Sequence, residues 1–371
     1  MIDNVFINKK MNVQLGRSNV YSIESDDLRK RIYATIERLL GTKISKHESF
    51  PGPQPVAVEK KDFTVLAKNQ YMVCEKTDGE RHVLILIKLD SKPMAFLLSR
   101  NGSIYFLNIS CKKEVWEGSV FDGELVKTKK GEWHYLIHDC MAYNARNFME
   151  QPHHLRYYSI LDFITKRYTP KESDAFDIKT KLFYVYGDRL AETWKHISNT
   201  TENKIDGLIF TPVRNPIIFG RDFSLFKWKN PEDHTMDFLV KLVQKKYNLY
   251  YYRKSQSVIY KSFSSKDKNY QLIKSFIEQH KADAVKGSII EFKYFPDGEI
   301  FQPYRLRTDK DKPNGELTIQ NTFKNIKESI EISDFEFKTC EHDGSCELDD
   351  EEQRLCDAFD GQLGVQDDDD E

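Results

Sequence analysis

The chain has 371 residues, 39% hydrophobic and 13% aromatic, enough for two or three packed domains. No run approaches the ~20 consecutive apolar residues of a transmembrane helix, and the amino terminus MIDNVFINKKMNVQL lacks a signal peptide's apolar core. Six scattered cysteines form no disulfide framework, so the expected compartment is reducing, nucleus or cytoplasm, and not secreted.

The net charge of -2 hides an asymmetry. Residues 341–371 carry 14 acids and one base. Residues 1–340 carry 55 Lys and Arg against 44 Asp and Glu, a net of +11. A basic body suits a polyanionic ligand, although solvated lysines alone would give the same count.

In chain order, SDDLRKRIYATIERLLG predicts a helix. Ser25 or Asp26 caps it, Leu28, Ile32, Ile36 and Leu39 form its apolar stripe, and Gly41 stops it. FPGPQPV, residues 50–56, reads as a rigid extended connector because its three prolines forbid helix. From residue 70 strands dominate: QYMVCEK, HVLILIKL, AFLLSR, SIYFLN, SVFDGELV and WHYLIHDCMAY, with an Asn-Gly hairpin signal at 99–103. Residues 152–167 read as helix, and the His pair at 153 and 154 as capping it or facing solvent. A block of short strands begins near Thr235 and suits a small Greek-key barrel such as an OB-fold. ELTIQNTFKNIKESIEI then predicts a helix, and the acidic tail from about 336 reads as disordered. CEHDGSC in that tail matches no strong zinc spacing.

Polar residues interrupt the strands at chosen places. Lys76 ends an apolar strand, Glu124 follows VFDG, Asp206 precedes GLIF, Arg100 sits at a hairpin mouth, and Lys227 and Lys229 alternate in LFKWK. Each alone has a dull reading as a solvated edge or a turn. Together they supply cations, carboxylates and a nucleophile. A lysine amine among cations such as Lys227, Lys229 and Arg81 loses its proton more readily and can attack phosphorus. The same cations neutralise a triphosphate, and Glu124 and Asp206 are hard oxygen ligands suited to magnesium.

KTDGER, VFDGELV, IHDCMAY, IDGLIF and LFKWK resemble, in order, the motifs of the covalent nucleotidyltransferases, a superfamily of DNA and RNA ligases and mRNA capping guanylyltransferases. FPGPQPV and RLRTDKDKPN, residues 305–314, resemble the capping branch. The resemblance runs from about residue 20 to 335. In length and wording it is most similar to the single-function enzymes of large DNA viruses, such as the chlorella virus enzyme, with fungal capping subunits next.

The resemblance implies an α+β fold: a nucleotidyltransferase (ATP-grasp-like, DNA-ligase-like) domain of antiparallel sheets and helices over residues 1–234, and an OB-fold over 235–314. A helix at 315–335 would pack back on the first domain, and a tail would run from 336 to 371. Lys76 would carry GMP on its amine. Thr77 and a lysine of IKTKLF, Lys181 rather than Lys179, would read guanine. Arg81 and Arg100 would hold phosphate and ribose, and Lys227 and Lys229 the α-phosphate. Glu124 would bind ribose or metal, Asp206 the metal, with Mg2+ or Mn2+ as cofactor. Arg307, Asp309 and Lys310 would orient the leaving pyrophosphate. GMP would pass from GTP to a 5′-diphosphate RNA end. No phosphatase loop or methyl-donor fingerprint occurs, so a separate RNA triphosphatase and cap methyltransferase are expected, with RNA polymerase a further candidate partner and no membrane. Location would be the nucleus, or a cytoplasmic viral factory for a viral protein. Two positions depart from the pattern: His138 stands where Phe is usual and Phe301 where Trp is usual. The rival readings are an ATP-dependent polynucleotide ligase and a non-catalytic scaffold.

Overall fold

The computed structural model describes residues 12–44, 50–308 and 310–335. Asp309, the acidic tail and the CEHDGSC stretch lie outside the described residues. The fold is α+β, and the described chain divides into two compact units, one within residues 12–56 and 64–227, the other 57–63 with 228–335.

The first unit opens with a hairpin, β1 (Asn12–Leu15) and β2 (Ser18–Ser22), then helix α1 (Asp26–Leu40). Ser25 caps α1 by accepting from the Leu28 amide, and Gly41 ends it in the left-handed conformation. β3 (Pro53–Ala57), α2 (Phe63–Lys68), β4 (Tyr71–Thr77), β5 (Glu80–Leu89), β6 (Lys92–Ser99) and β7 (Ile104–Leu107) follow. Then come β8 (Ser119–Lys127), β9 (Trp133–Tyr143), the short β10 (Arg146–Asn147), α3 (His153–Asp162), β11 (Asp177–Thr180), β12 (Tyr184–Val185), α4 (Leu190–Thr200), β13 (Ile205–Pro212) and β14 (Gly220–Lys229).

These strands make two sheets. One runs β1-β2-β7-β6-β5-β8-β9-β10, with β11 also on β9; the other runs β12-β4-β13-β14-β3. The β11–β9 pair is parallel, an exception to the expected antiparallel pattern. β5 reads as an unbroken apolar run because both of its faces are covered. Val83, Ile85 and Ile87 join the α1 cluster, while Leu84 and Leu86 join a second cluster with Tyr157, Ile160 and Phe163. FPGPQPV is more than a connector. Its residues 53–56 open the edge strand β3, where proline is tolerated because one side of an edge strand needs no ladder bonds.

His153 is a second correction. It is buried against Phe183 at 4.5 Å, and burial pushes its imidazole down to about 4. It serves packing rather than solvent, because α3 lies on the sheet core.

In the second unit, β15 (Thr235–Val243), β16 (Lys246–Arg253), β17 (Gln256–Phe263), helix α5 (Lys268–His280), β18 (Ser288–Phe295) and β19 (Ile300–Leu306) pair as β17-β16-β15-β18-β19, all antiparallel. A helix between the third and fourth strands and a first strand paired to the fourth is OB-fold order. Helix α6 (Glu316–Glu328) contacts both the barrel strands and the 57–63 segment, with Lys324 Nζ donating to Glu59 Oε2 at 2.6 Å and the Lys60 amide donating to Glu328 Oε2 at 3.1 Å. Ile319 is buried in the barrel core with Phe323 and Ile326 against it, so its apolar stripe faces the barrel.

Candidate active site

The site begins where β4 ends. β13 pairs with β4 in register from Leu208↔Glu75, then the register shifts before Ile205↔Thr77. That bulge holds Asp206 and brings its Oδ1 to 2.5 Å from Lys76 Nζ. Both side chains are about three-quarters buried. The ion-pair partner of Lys76 is thus a carboxylate. Glu75, one residue earlier, is tied down by Thr201 and by Asn203 Nδ2 at 2.7 Å. The Asp78 amide donates to Lys204 O at 2.9 Å, so the motif is anchored on both sides of the lysine.

Gly79 explains the D-G that follows. A Cβ there would stand 2.7 Å from Leu125 O and 2.9 Å from Glu124 Cγ, so only glycine lets β4 turn into β5 against β8.

A second charge cluster lies on the same strand end. Thr77 is buried and donates to Glu124 Oε2. Lys181 Nζ donates to Thr77 Oγ1 and Glu124 Oε2, each at 2.9 Å, and to Glu75 O at 3.2 Å. Burial works against both charges. It would raise the Glu124 carboxyl, but Lys181, with help from Thr77 and His138, brings it below its usual value. Burial would lower the Lys181 ammonium, and Glu124 outweighs it, leaving that pKa raised. Lys179, two residues earlier, is exposed and lies 3.8 Å from Glu202. Two residues apart, the lysines would share a face of an ideal strand. β11 stops at Thr180, and Lys181 leaves that alternation to turn inward.

Arg81 forms the third pair. Its Nε donates to Asp122 Oδ1 at 2.9 Å, its Nη2 to Asp122 Oδ2, and its Nη1 to Pro53 O. Its guanidinium also sits over Phe50, 5.1 Å from the ring centre. Gly52 permits this approach, since a Cβ there would meet Arg81 Nη2 at 2.9 Å. Burial would raise the Asp122 carboxyl, yet Arg81 and His138 hold it far below the carboxylate range. His138 Nε2 is 3.4 Å from Asp122 Oδ1. The next residue, Asp139, is taken by a buried bidentate bond from Arg156, at 2.7 and 3.1 Å. Three of Arg81's donors are therefore committed to protein.

Other expected residues lie on other elements. Arg100 is exposed in the β6–β7 turn. Lys227 and Lys229 are half-buried on one face of β14, and Trp228 between them is buried with its Nε1 donating to Ile330 O at 2.8 Å. In the barrel, Arg307 Nη1 donates to both oxygens of buried Asp237 at 3.1 Å, and Lys310 Nζ donates to Asp237 Oδ2. Asp122 and Asp237 were not read as site residues. Each is an acid inside an apolar strand, VFDGELV or TMDFLV, and a buried acid requires a cation. That signal was present in the sequence.

The motif order and this geometry agree with one family. The pattern described as "mRNA capping enzyme, catalytic domain" matches residues 17–231, and "mRNA capping enzyme, C-terminal domain" matches 221–335. The chain belongs to the mRNA capping enzyme family. This capping-family chain is 31% identical over 240 residues to mRNA-capping enzyme subunit alpha of Schizosaccharomyces pombe, covering 58% of each chain. It is 27% identical over 372 residues to the subunit alpha of Candida glabrata, covering 77% of this chain and 79% of that one. The match to the mRNA-capping enzyme of Caenorhabditis elegans is 25% over 250 residues, 60% of this chain and 38% of that one. A solved mycobacterial DNA ligase D, complexed with ATP and MES, aligns over 72% of this chain and 97% of its own at 13% identity and a TM-score of 0.41. The capping-family chain is a nucleotidyltransferase.

Proposed function

We propose that the protein transfers GMP from GTP to the 5′-diphosphate end of RNA, with Lys76 as the covalent carrier. The observation that carries this reading is the Lys76–Asp206 pair beside the Thr77–Glu124–Lys181 cluster on one strand end. A buried Thr hydroxyl and ammonium next to the nucleophile offer donors for a purine base, and the partly exposed Lys76 serves the phosphates.

Asp206 orients the amine by accepting from Nζ. The lone pair of the neutral Nζ attacks the α-phosphorus, and the proton released from nitrogen passes to Asp206 and on to solvent. The bond to the β-phosphate oxygen breaks, and pyrophosphate leaves with the electron pair. In the second step a terminal phosphate oxygen of RNA attacks the same phosphorus, the P–N bond breaks, and Nζ regains a proton. Lys227 and Lys229 serve the α-phosphate, and Arg307, Asp309 and Lys310 serve the departing pyrophosphate. Glu124 and Asp206 are a hard-oxygen donor set that fits Mg2+ or Mn2+, and both bonds to Glu124 fall on Oε2, leaving Oε1 as a ligand. Such a metal would supply charge neutralisation to the leaving group. With Arg81 held by Asp122 and Pro53, its role is to shape the pocket wall, with its remaining N–H groups toward phosphate or ribose beside Arg100. A separate RNA triphosphatase and a cap methyltransferase complete the pathway, and the site of action is nuclear or in a viral factory. Among the described residues, no helix is long and apolar enough to cross a membrane.

The decisive experiment is adduct formation with α-labelled GTP or ATP and a divalent metal. Label from GTP, released by acid and stable to alkali, is expected. Label from ATP alone would replace this reading with a polynucleotide ligase.

A further inference from the structure

The Lys76 chemistry makes no use of a second group of ligating side chains on the outer end of β9. Glu132, His134 and Glu202 present donor atoms that all lie within 4.8 Å of one another. The parallel register of β11 on β9 sets Asp177 beside His134, and Asp177 Oδ2 is 3.8 Å from His134 Nε2. Glu132 Oε2 is also 3.8 Å from that nitrogen. We propose that Glu132, His134, Glu202 and Asp177 form a second cation site, specific for a transition-metal divalent ion such as Zn2+.

The observation beyond the acids is His134 itself. Its side chain is 98% buried, and its ring makes no hydrogen bond to a described residue; its nearest polar neighbours are those carboxylates. A metal on Nε2 would stand between the ring and the two carboxylates that now face it at 3.8 Å, and an imidazole selects zinc-like ions over magnesium.

Zinc needs donors at about 2.0–2.2 Å, so the acids must draw in. They are able to: Glu132, Glu202 and Asp177 side chains are each about half exposed. Their present partners are surface cations, Lys179 at 3.8 Å from Glu202 and Arg17 at 2.6 Å from Asp177, and such exposed pairs are readily displaced. The frame is otherwise built. Lys129 N donates to Glu202 O, and Thr128 and Glu132 close the hairpin before β9. Thr201 and Asn203, which flank Glu202, hold Glu75 next to Lys76, so an ion here would stiffen the loop that positions the nucleophile's strand.

The test uses the full chain, stripped with a chelator and titrated with ZnCl2 under excess Mg2+, which saturates the carboxylate site at Lys76. Thiols of the tail add background zinc, so wild type is read against the surface double variant Glu132→Gln/Glu202→Gln, with folding checked by circular dichroism. Wild type is expected to bind one equivalent more, or with at least about tenfold higher affinity. Co2+ should give visible absorption in wild type that weakens in the variant. His134→Gln should match the double variant. Equal stoichiometry and affinity in wild type and the folded double variant would overturn the proposal, whether or not His134→Gln folds.

Discussion

The Lys76 cluster and the Arg307 cluster solve the same electrostatic problem differently. In the first unit the described pairs use separate acids: Lys76 with Asp206, Lys181 with Glu124, Arg81 with Asp122. In the barrel, Arg307 and Lys310 share Asp237, and Arg305 and Arg307 share Glu291. Separate pairs make a frame, and shared acids make a network. Depth does not separate them, since Lys76 is 25% exposed and Arg307 12%.

The largest expected effect removes the nucleophile. Lys76→Ala, and Lys76→Arg with its permanently protonated guanidinium, should accumulate no labelled GMP at any time. Lys310→Ala should still accumulate it after long incubation. A labelled Lys76→Ala protein would erase the contrast between the clusters.

Next is the frame. Asp122→Ala strands a mostly buried guanidinium, and breaking such a pair costs about 3–5 kcal/mol. Urea unfolding of this variant should show that loss. A loss under about 1 kcal/mol would mean that water reaches Arg81 and the separate pairing is not a frame.

Arg307→Ala should slow GMP loading about a hundredfold, near 2.7 kcal/mol, the scale of one lost transition-state contact. Transfer from a preformed adduct to diphosphate-ended RNA should stay near the wild-type rate. Single-turnover measurement of each step decides this, and equal slowing would assign Arg307 to the same role as the Lys76 cluster.

The smallest effect is in pH. The Glu124 pKa is lower in the folded chain than its usual 4.5. Its stabilising contribution is therefore complete above the unfolded value and lost as pH falls through the folded one. The stability difference between wild type and Glu124→Gln should be constant from pH 7 to about 5 and shrink below 4.5. A difference that does not change with pH would show that Lys181 contributes no pairing energy to Glu124.

Much of this was legible in the sequence, for reasons of local chemistry. Cap, stripe and stop residues placed α1; apolar runs placed β5 and β9; KTDGER and IDGLIF placed Lys76 and Asp206 near strand ends, while Glu124 falls inside β8. Family membership followed from several motifs recurring together in one order, a pattern that the matching family models share. Tertiary structure decided the partners. The bulge in β13 that turns Asp206 onto Lys76, the inward turn of Lys181 past β11, and the packing of α6 on the barrel depend on register and on which faces are covered. No residue states its register alone. A one-residue slip sends a side chain to the other face, so which acid neutralises which cation exists only once the sheets have formed.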